Sequence, residues 1–161
     1  MIQIETFLNQ MPTLHHTEII PLPSLRLYEI ITDVEKYPEF LPWCLTAELL
    51  EQSQTHMIAD LCIGVSSFKG TFRSAVTLTP FSKVEVHYGD TSQKIPTYNI
   101  PFKHLYTRWS LKELSPQETF VEFYIDFSFQ SWILNKMMTS VFDQACHTMI
   151  KAFKKRSYAH G

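Results

Sequence analysis

The hydrophobic residues of this chain follow a period of two through successive segments and then, from Trp132 onward, a helical period. Period-two alternation predicts strands that are buried on one face, and its clearest example runs from Val121 to Phe129. The same alternation recurs in residues 43–50, 57–63, 68–79, 84–88 and 104–111. Such a succession predicts an antiparallel sheet with one dry face.

The segment from Trp132 to about Tyr158 has an apolar stripe at helical spacing. About 25 helical residues span roughly 37 Å, enough to cross a whole sheet. Since a meander cannot bury its dry face alone, we expect this helix to pack across it. An edge strand at Thr13–Ile20 and a short helix with Ser24 as N-cap are predicted before the meander. The fold class is therefore α+β, and periodicity leaves open whether its interior is solid or hollow.

A length of 161 residues with 45% hydrophobic content fits a single domain. We expect residues 1–11 to be an extension, residues 12–158 the domain and residues 159–161 a tail. The extension has apolar residues at helical spacing, which predicts a short helix that either frays or touches a membrane or partner. No apolar run reaches the roughly 18 residues of a membrane span, so we expect a cytoplasmic protein, free or peripheral to the inner membrane.

The stretch DVEKYPEFLPWC (Asp33–Cys44) places large apolar side chains around two prolines. Pro38 and Pro42 prevent one long helix, because each lacks an amide proton and restricts the residue before it. The result is a bent apolar connector at the predicted open end of the sheet. Two interpretations stay open, a gate over a pocket or a fixed hydrophobic plug. Both would use the same side chains, Tyr37, Phe40, Leu41 and Trp43.

Motifs of nucleotide hydrolases, serine hydrolases and zinc proteases are absent from the sequence, which has only four glycines. A net charge of -2 argues against general attraction to DNA. Charged strand residues such as Asp60, Arg73 and Arg108 fall on the predicted wet face, where cross-strand ion pairing is favoured over acid–base catalysis. His15 and His16 point to opposite faces of a strand. We therefore predict no enzyme activity, no metal site and no cofactor.

Five stretches resemble, in order and spacing, the coenzyme Q-binding START-domain family and its relative, the ribosome-association toxin RatA. They are YEIITDVEKYPEFLPWCLTAEL, ADLCIGVSSFKGTFRSAVTL, PFKHLYTRWSLKEL, VEFYIDFSFQS and VFDQACHTMIKAFKKRS. The resemblance covers about Pro12 to Tyr158, and the chain departs from it in the first residues and in the longer TSQKIPTYNI loop. It implies a helix-grip (START/Bet v 1-like) fold, with six or seven strands around the C-terminal helix and an apolar tunnel between them.

The resemblance implies ubiquinone binding in that tunnel, in support of respiration and quinone biosynthesis. A factor that binds the large ribosomal subunit and blocks subunit association is the alternative, and a polyketide cyclase is a third class. Inside the tunnel, Tyr88 would donate a hydrogen bond to a quinone carbonyl. The other expected lining residues face inward on strands or lie on the apolar stripe of the last helix: Leu61, Phe72, Trp109, Phe123, Phe127, Met138, Phe142 and Met149. The basic end of that helix would meet lipid headgroups or RNA phosphates, or only complement the helix dipole.

Overall fold

The computed structural model describes residues 13–65, 68–88, 102–129 and 132–159. In the last of these ranges, the side chains before residue 143 are described only at Lys136. The predicted N-terminal helix and the loop at 91–101 lie outside the described residues.

Seven antiparallel strands form one sheet in the order β1-β7-β6-β5-β4-β3-β2. The strands are β1 (Thr13–Ile20), β2 (Cys44–Gln52), β3 (His56–Val65), β4 (Phe68–Thr79), β5 (Lys83–Tyr88), β6 (Phe102–Ser115) and β7 (Glu118–Phe129). Strands β2 to β7 follow one another as a meander, and β1 pairs with β7 from the far side. The predicted α+β fold with a curved antiparallel sheet and a long C-terminal helix is confirmed.

The helical elements are α1 (Ser24–Thr32), a 3₁₀ segment (Val34–Glu39) and α2 (Trp132–Ala159). The prediction of Ser24 as N-cap is wrong, because Pro23 occupies that position with φ -62° and ψ 144°. Its carbonyl accepts a hydrogen bond from the Leu27 amide at 3.3 Å. A proline holds φ near the value that this extended cap conformation needs, so Ser24 becomes the first helical residue instead.

Charged side chains on the outer face of the sheet pair across the strands, as predicted. Asp60 lies directly opposite Arg73, and the Arg73 guanidinium donates two hydrogen bonds to the Asp60 carboxylate at 2.6 and 2.9 Å. Arg108 lies 3.8 Å from Glu122, and the same carboxylate is 2.6 Å from His15 Nε2. These contacts give the strand charges ordinary structural roles.

The inner face of the sheet is apolar, and the second half of α2 packs across it. Trp109 on β6 lies 4.5 Å from Phe123 on β7 and 5.1 Å from Phe153 on α2, between ring centroids. Burial of each such side chain stabilises the fold by roughly 1.5–3 kcal/mol. Among the residues described, no helix combines the length and apolar character needed to cross a membrane.

Candidate functional site

A cavity of about 120 Å³ lies between the inner face of the sheet and the second half of α2. Eight of the predicted site residues line it: Tyr37, Leu41, Trp43, Leu61, Phe72, Trp109, Phe123 and Met149. A second cavity of about 20 Å³ lies on the other side of Trp109 and Phe153, which line both. The interior is therefore hollow between the sheet and the helix.

The volume of the larger cavity limits what it can hold. An engineered cavity of about 150 Å³ is known to take up one benzene molecule and otherwise to stay dry. The described cavity, at about 120 Å³, thus corresponds to one six-membered ring or one five-carbon prenyl unit. A longer chain would have to extend beyond it.

The proline-rich connector forms one wall of the cavity. The Tyr37 hydroxyl donates a hydrogen bond to the Ile31 carbonyl, and the Leu41 amide donates to the Tyr37 carbonyl at 2.8 Å. The Tyr37 ring also packs edge to face against Phe153, with 5.3 Å between centroids. Leu41 is only 1% exposed. These contacts hold the connector against α2, and its opening as a gate stays a prediction.

Phe40 supports this wall from outside the cavity. Its ring centroid lies 5.1 Å from that of Phe153 and 5.1 Å from the Arg156 guanidinium, which stacks over it. Arg156 in turn donates a hydrogen bond to Glu39 at 3.0 Å. An aromatic contact, a cation–π contact and an ion pair therefore connect the end of α2 to the 3₁₀ segment.

Four more predicted site residues either do not line the cavity or have side chains outside the described part of the chain. Tyr88 packs its ring 5.8 Å from Phe72 and is not among the described lining residues. Phe127 is buried in the core opposite Leu105 without lining the cavity. The side chains of Met138 and Phe142 fall outside the described part of α2.

Nine further residues line the cavity that were not predicted as site residues. They are Ile63, Val84, Val86, Leu105, Thr107, Ile125, Ala145, Cys146 and Phe153. The six strand residues of this set occupy inward positions of the same alternation. Period-two alternation therefore predicts that all six point to the inner face of the sheet. Alternation identifies the inward residues, but it does not show which of them face the helix across an unfilled gap.

The titratable groups in the cavity wall are held in their neutral forms. Burial, with a smaller effect from the charge of Asp143, raises the pKa of the Cys146 thiol to about 12. Burial also raises the pKa of Tyr37 well above its ordinary value. No Asp, Glu, Lys, Arg or His belongs to the described lining. Within the described ranges, no group of three or more His, Cys, Asp or Glu residues could hold a metal ion.

A family model described as polyketide cyclase / dehydrase and lipid transport matches residues 20–154. The chain belongs to this family. It is 31% identical over 149 residues to the ribosome association toxin RatA of Rickettsia prowazekii, covering 91% of this chain and 97% of that protein. It is 29% identical over 143 residues to the mitochondrial coenzyme Q-binding protein COQ10 of Dictyostelium discoideum, covering 87% of this chain and 66% of that one. The suspected resemblance is thereby confirmed.

The Zhui aromatase/cyclase from Streptomyces sp. R1128 has a similar structure, with a TM-score of 0.78 over 92% of this chain and 94% of that one. Sequence identity in that comparison is 17%, so it shows a shared fold and nothing about chemistry. Together with the seven-stranded sheet and its closing helix, it establishes the helix-grip architecture.

Proposed function

We propose that the protein binds a hydrophobic lipid, a polyprenyl quinone such as ubiquinone, in the cavity under α2 and carries it unchanged. The observation that supports this most directly is the cavity itself, about 120 Å³ with a wall made almost wholly of carbon. Apolar pockets with few polar groups suit apolar ligands, because burial then costs little desolvation. The name of the COQ10 relative supports a quinone as the ligand.

A carrier role agrees with the chemistry of the wall. General acid–base catalysis at neutral pH needs a group whose pKa lies near that pH, and burial raises the pKa of the Cys146 thiol to about 12. A thiol with that pKa stays protonated and unreactive at neutral pH. The described wall therefore offers surface for binding and lacks a proton carrier for turnover.

Binding energy sets how much of the ligand the protein must cover. One five-carbon unit gains about 4 kcal/mol at roughly 0.8 kcal/mol per carbon, which corresponds to a Kd near 1 mM. Micromolar binding needs about 8 kcal/mol, and hence roughly ten buried carbons. A ring in the cavity together with part of the tail along the protein would meet that requirement.

The test is to purify the protein, extract it with organic solvent and identify co-purified lipids by mass spectrometry. Ala145 lines the cavity and Thr148 is exposed on the same helix, so Ala145→Phe and Thr148→Phe form a matched pair. We expect a polyprenyl quinone with the wild type and Thr148→Phe, and its loss with Ala145→Phe. A wild type free of prenyl lipid that also binds none when it is added would refute the proposal.

A second candidate function is binding to a ribosomal subunit, because the relatives matched over nearly their whole length include RatA toxins. On α2, Lys154 and Arg156 are paired with Glu18 and Glu39, whereas Lys151 and Lys155 are exposed.

Co-sedimentation with purified large ribosomal subunits tests this alternative. Salt-sensitive binding that is lost in the double variant Lys151→Glu, Lys155→Glu would favour it. Absence of binding at low salt would exclude it.

A further inference from the structure

The described lining of the cavity contains one hydroxyl group that has no internal partner. Thr107 lies on β6 between the inward residues Leu105 and Trp109 and lines the cavity. Its neighbours across the sheet are Val86 on β5 and Ile125 on β7, which offer only carbon. Its hydroxyl forms no hydrogen bond with any part of the chain that the structure describes. An apolar residue at this position would continue the surrounding surface without a break.

A second polar group in the same wall also lacks a partner. The indole Nε1 of Trp43 is buried and has no acceptor among the described residues. The backbone there is fixed, because the Gly64 amide donates a hydrogen bond to the Trp43 carbonyl at 2.8 Å. Indole N–H groups act only as donors, and buried donors are seldom left unpaired in native proteins.

We infer that the cavity holds the oxygen-bearing ring of the ligand, with Thr107 and Trp43 as hydrogen-bond donors to it, and that the prenyl tail extends outward. This inference rests on the proposed function and adds the orientation of the ligand. A prenyl tail in the cavity would offer no acceptor and would leave both donors unpaired. The cavity volume corresponds to a six-membered ring, and the carbonyl oxygens of a quinone ring accept hydrogen bonds.

Two matched ligands and three variants test this orientation. The ligands are a ubiquinone analogue with one prenyl unit and a prenylated benzene that lacks the ring oxygens. Thr107→Val removes the hydroxyl and keeps the branched shape, and Trp43→Phe removes the N–H. Ile125→Val removes one carbon from the neighbouring wall and serves as the control. Isothermal titration calorimetry gives the Kd of each ligand for the wild type and for each variant.

We expect Thr107→Val and Trp43→Phe each to raise the Kd for the quinone about three- to tenfold, the range of one neutral hydrogen bond. The Kd for the prenylated benzene should stay unchanged in Thr107→Val, and Ile125→Val should weaken both ligands alike. If Thr107→Val and Trp43→Phe leave quinone binding intact, or weaken both ligands equally, the orientation is wrong although lipid binding stands. Failure of the wild type to bind either ligand would refute the proposed function together with the orientation.

Discussion

Phe153 is the side chain whose removal should most affect both the stability and the ligand range of this protein. It is 5% exposed, and its ring lies 5.3 Å from Tyr37, 5.1 Å from Phe40 and 5.1 Å from Trp109. Truncation of a buried phenylalanine to alanine typically costs about 3–5 kcal/mol. Because Phe153 already borders a cavity on two sides, we expect Phe153→Ala to lower the free energy of unfolding by about 3 kcal/mol.

That loss should leave the protein folded, since domains of this kind have a total stability of about 5–15 kcal/mol. For a chain of this size it corresponds to a decrease in Tm of roughly 6–12 °C. Urea denaturation gives the free energy, and an unchanged m value would show that the unfolded state is the same. Phe81→Ala is the control, because Phe81 is 57% exposed and its loss should cost less than about 1 kcal/mol.

The same substitution should change ligand preference, because Phe153 separates the cavities of about 120 and 20 Å³. Joining them and removing the ring creates space for at least one more prenyl unit. We therefore expect Phe153→Ala to bind a quinone with a longer tail more tightly, relative to the one-unit analogue, than the wild type does. A loss of stability under 1 kcal/mol, or an unchanged ratio of the two Kd values, would refute this account of the interior.

Three smaller predictions concern single groups. Burial raises the pKa of the Cys146 thiol from 9.0 to about 12, so at pH 8 iodoacetamide should alkylate it about a thousandfold more slowly in the folded protein than in urea. Peptide mapping by mass spectrometry measures both rates, and equal rates would contradict its burial. The Tyr106 hydroxyl donates a 2.7 Å hydrogen bond to Glu85 and lowers the pKa of that carboxyl below 4.5 in the folded state. The resulting stability is present above pH 4.5 and is lost as the pH falls through the folded value, so Glu85→Gln should flatten the decline of urea midpoints as the pH is lowered below 4.5. An identical decline in both proteins would count against that bond. At Gly64, an added Cβ would lie 3.3 Å from Leu45 Cδ1, an exposed tip that can rotate away, so Gly64→Ala should raise the free energy of unfolding by about 0.5 kcal/mol. A loss above 1 kcal/mol in urea denaturation would show that Leu45 cannot move.

The ends of a strand could be predicted from sequence where the alternation of buried and exposed residues continues to the end of that strand. Strand β4 begins at Phe68 and ends at Thr79 as predicted, because its alternation is unbroken up to Pro80. Strand β6 is longer than the predicted residues 104–111 and extends to Ser115. Its last residues, including Lys112 and Glu113, are exposed, so they keep strand geometry without an apolar period. Hydrophobic periodicity therefore predicts the buried part of a strand and misses its solvent-exposed end.

Hydrophobic periodicity did not predict which polar side chain lines the cavity. A single hydroxyl inside a tunnel of carbon was expected from the inward position of Tyr88, and Thr107 satisfies the same alternation one strand away. Strand register distinguishes them: Tyr88 pairs with Leu105 at the last residue of β5, whereas Thr107 pairs with Val86, two residues further into the sheet. Thr107 lines the cavity, and so does Leu105, whereas Tyr88 beside Leu105 is not among the described lining residues. Which inward side chain borders the cavity therefore depends on the path of the helix as well as on strand pairing, and a local period of two encodes neither of these long-range features.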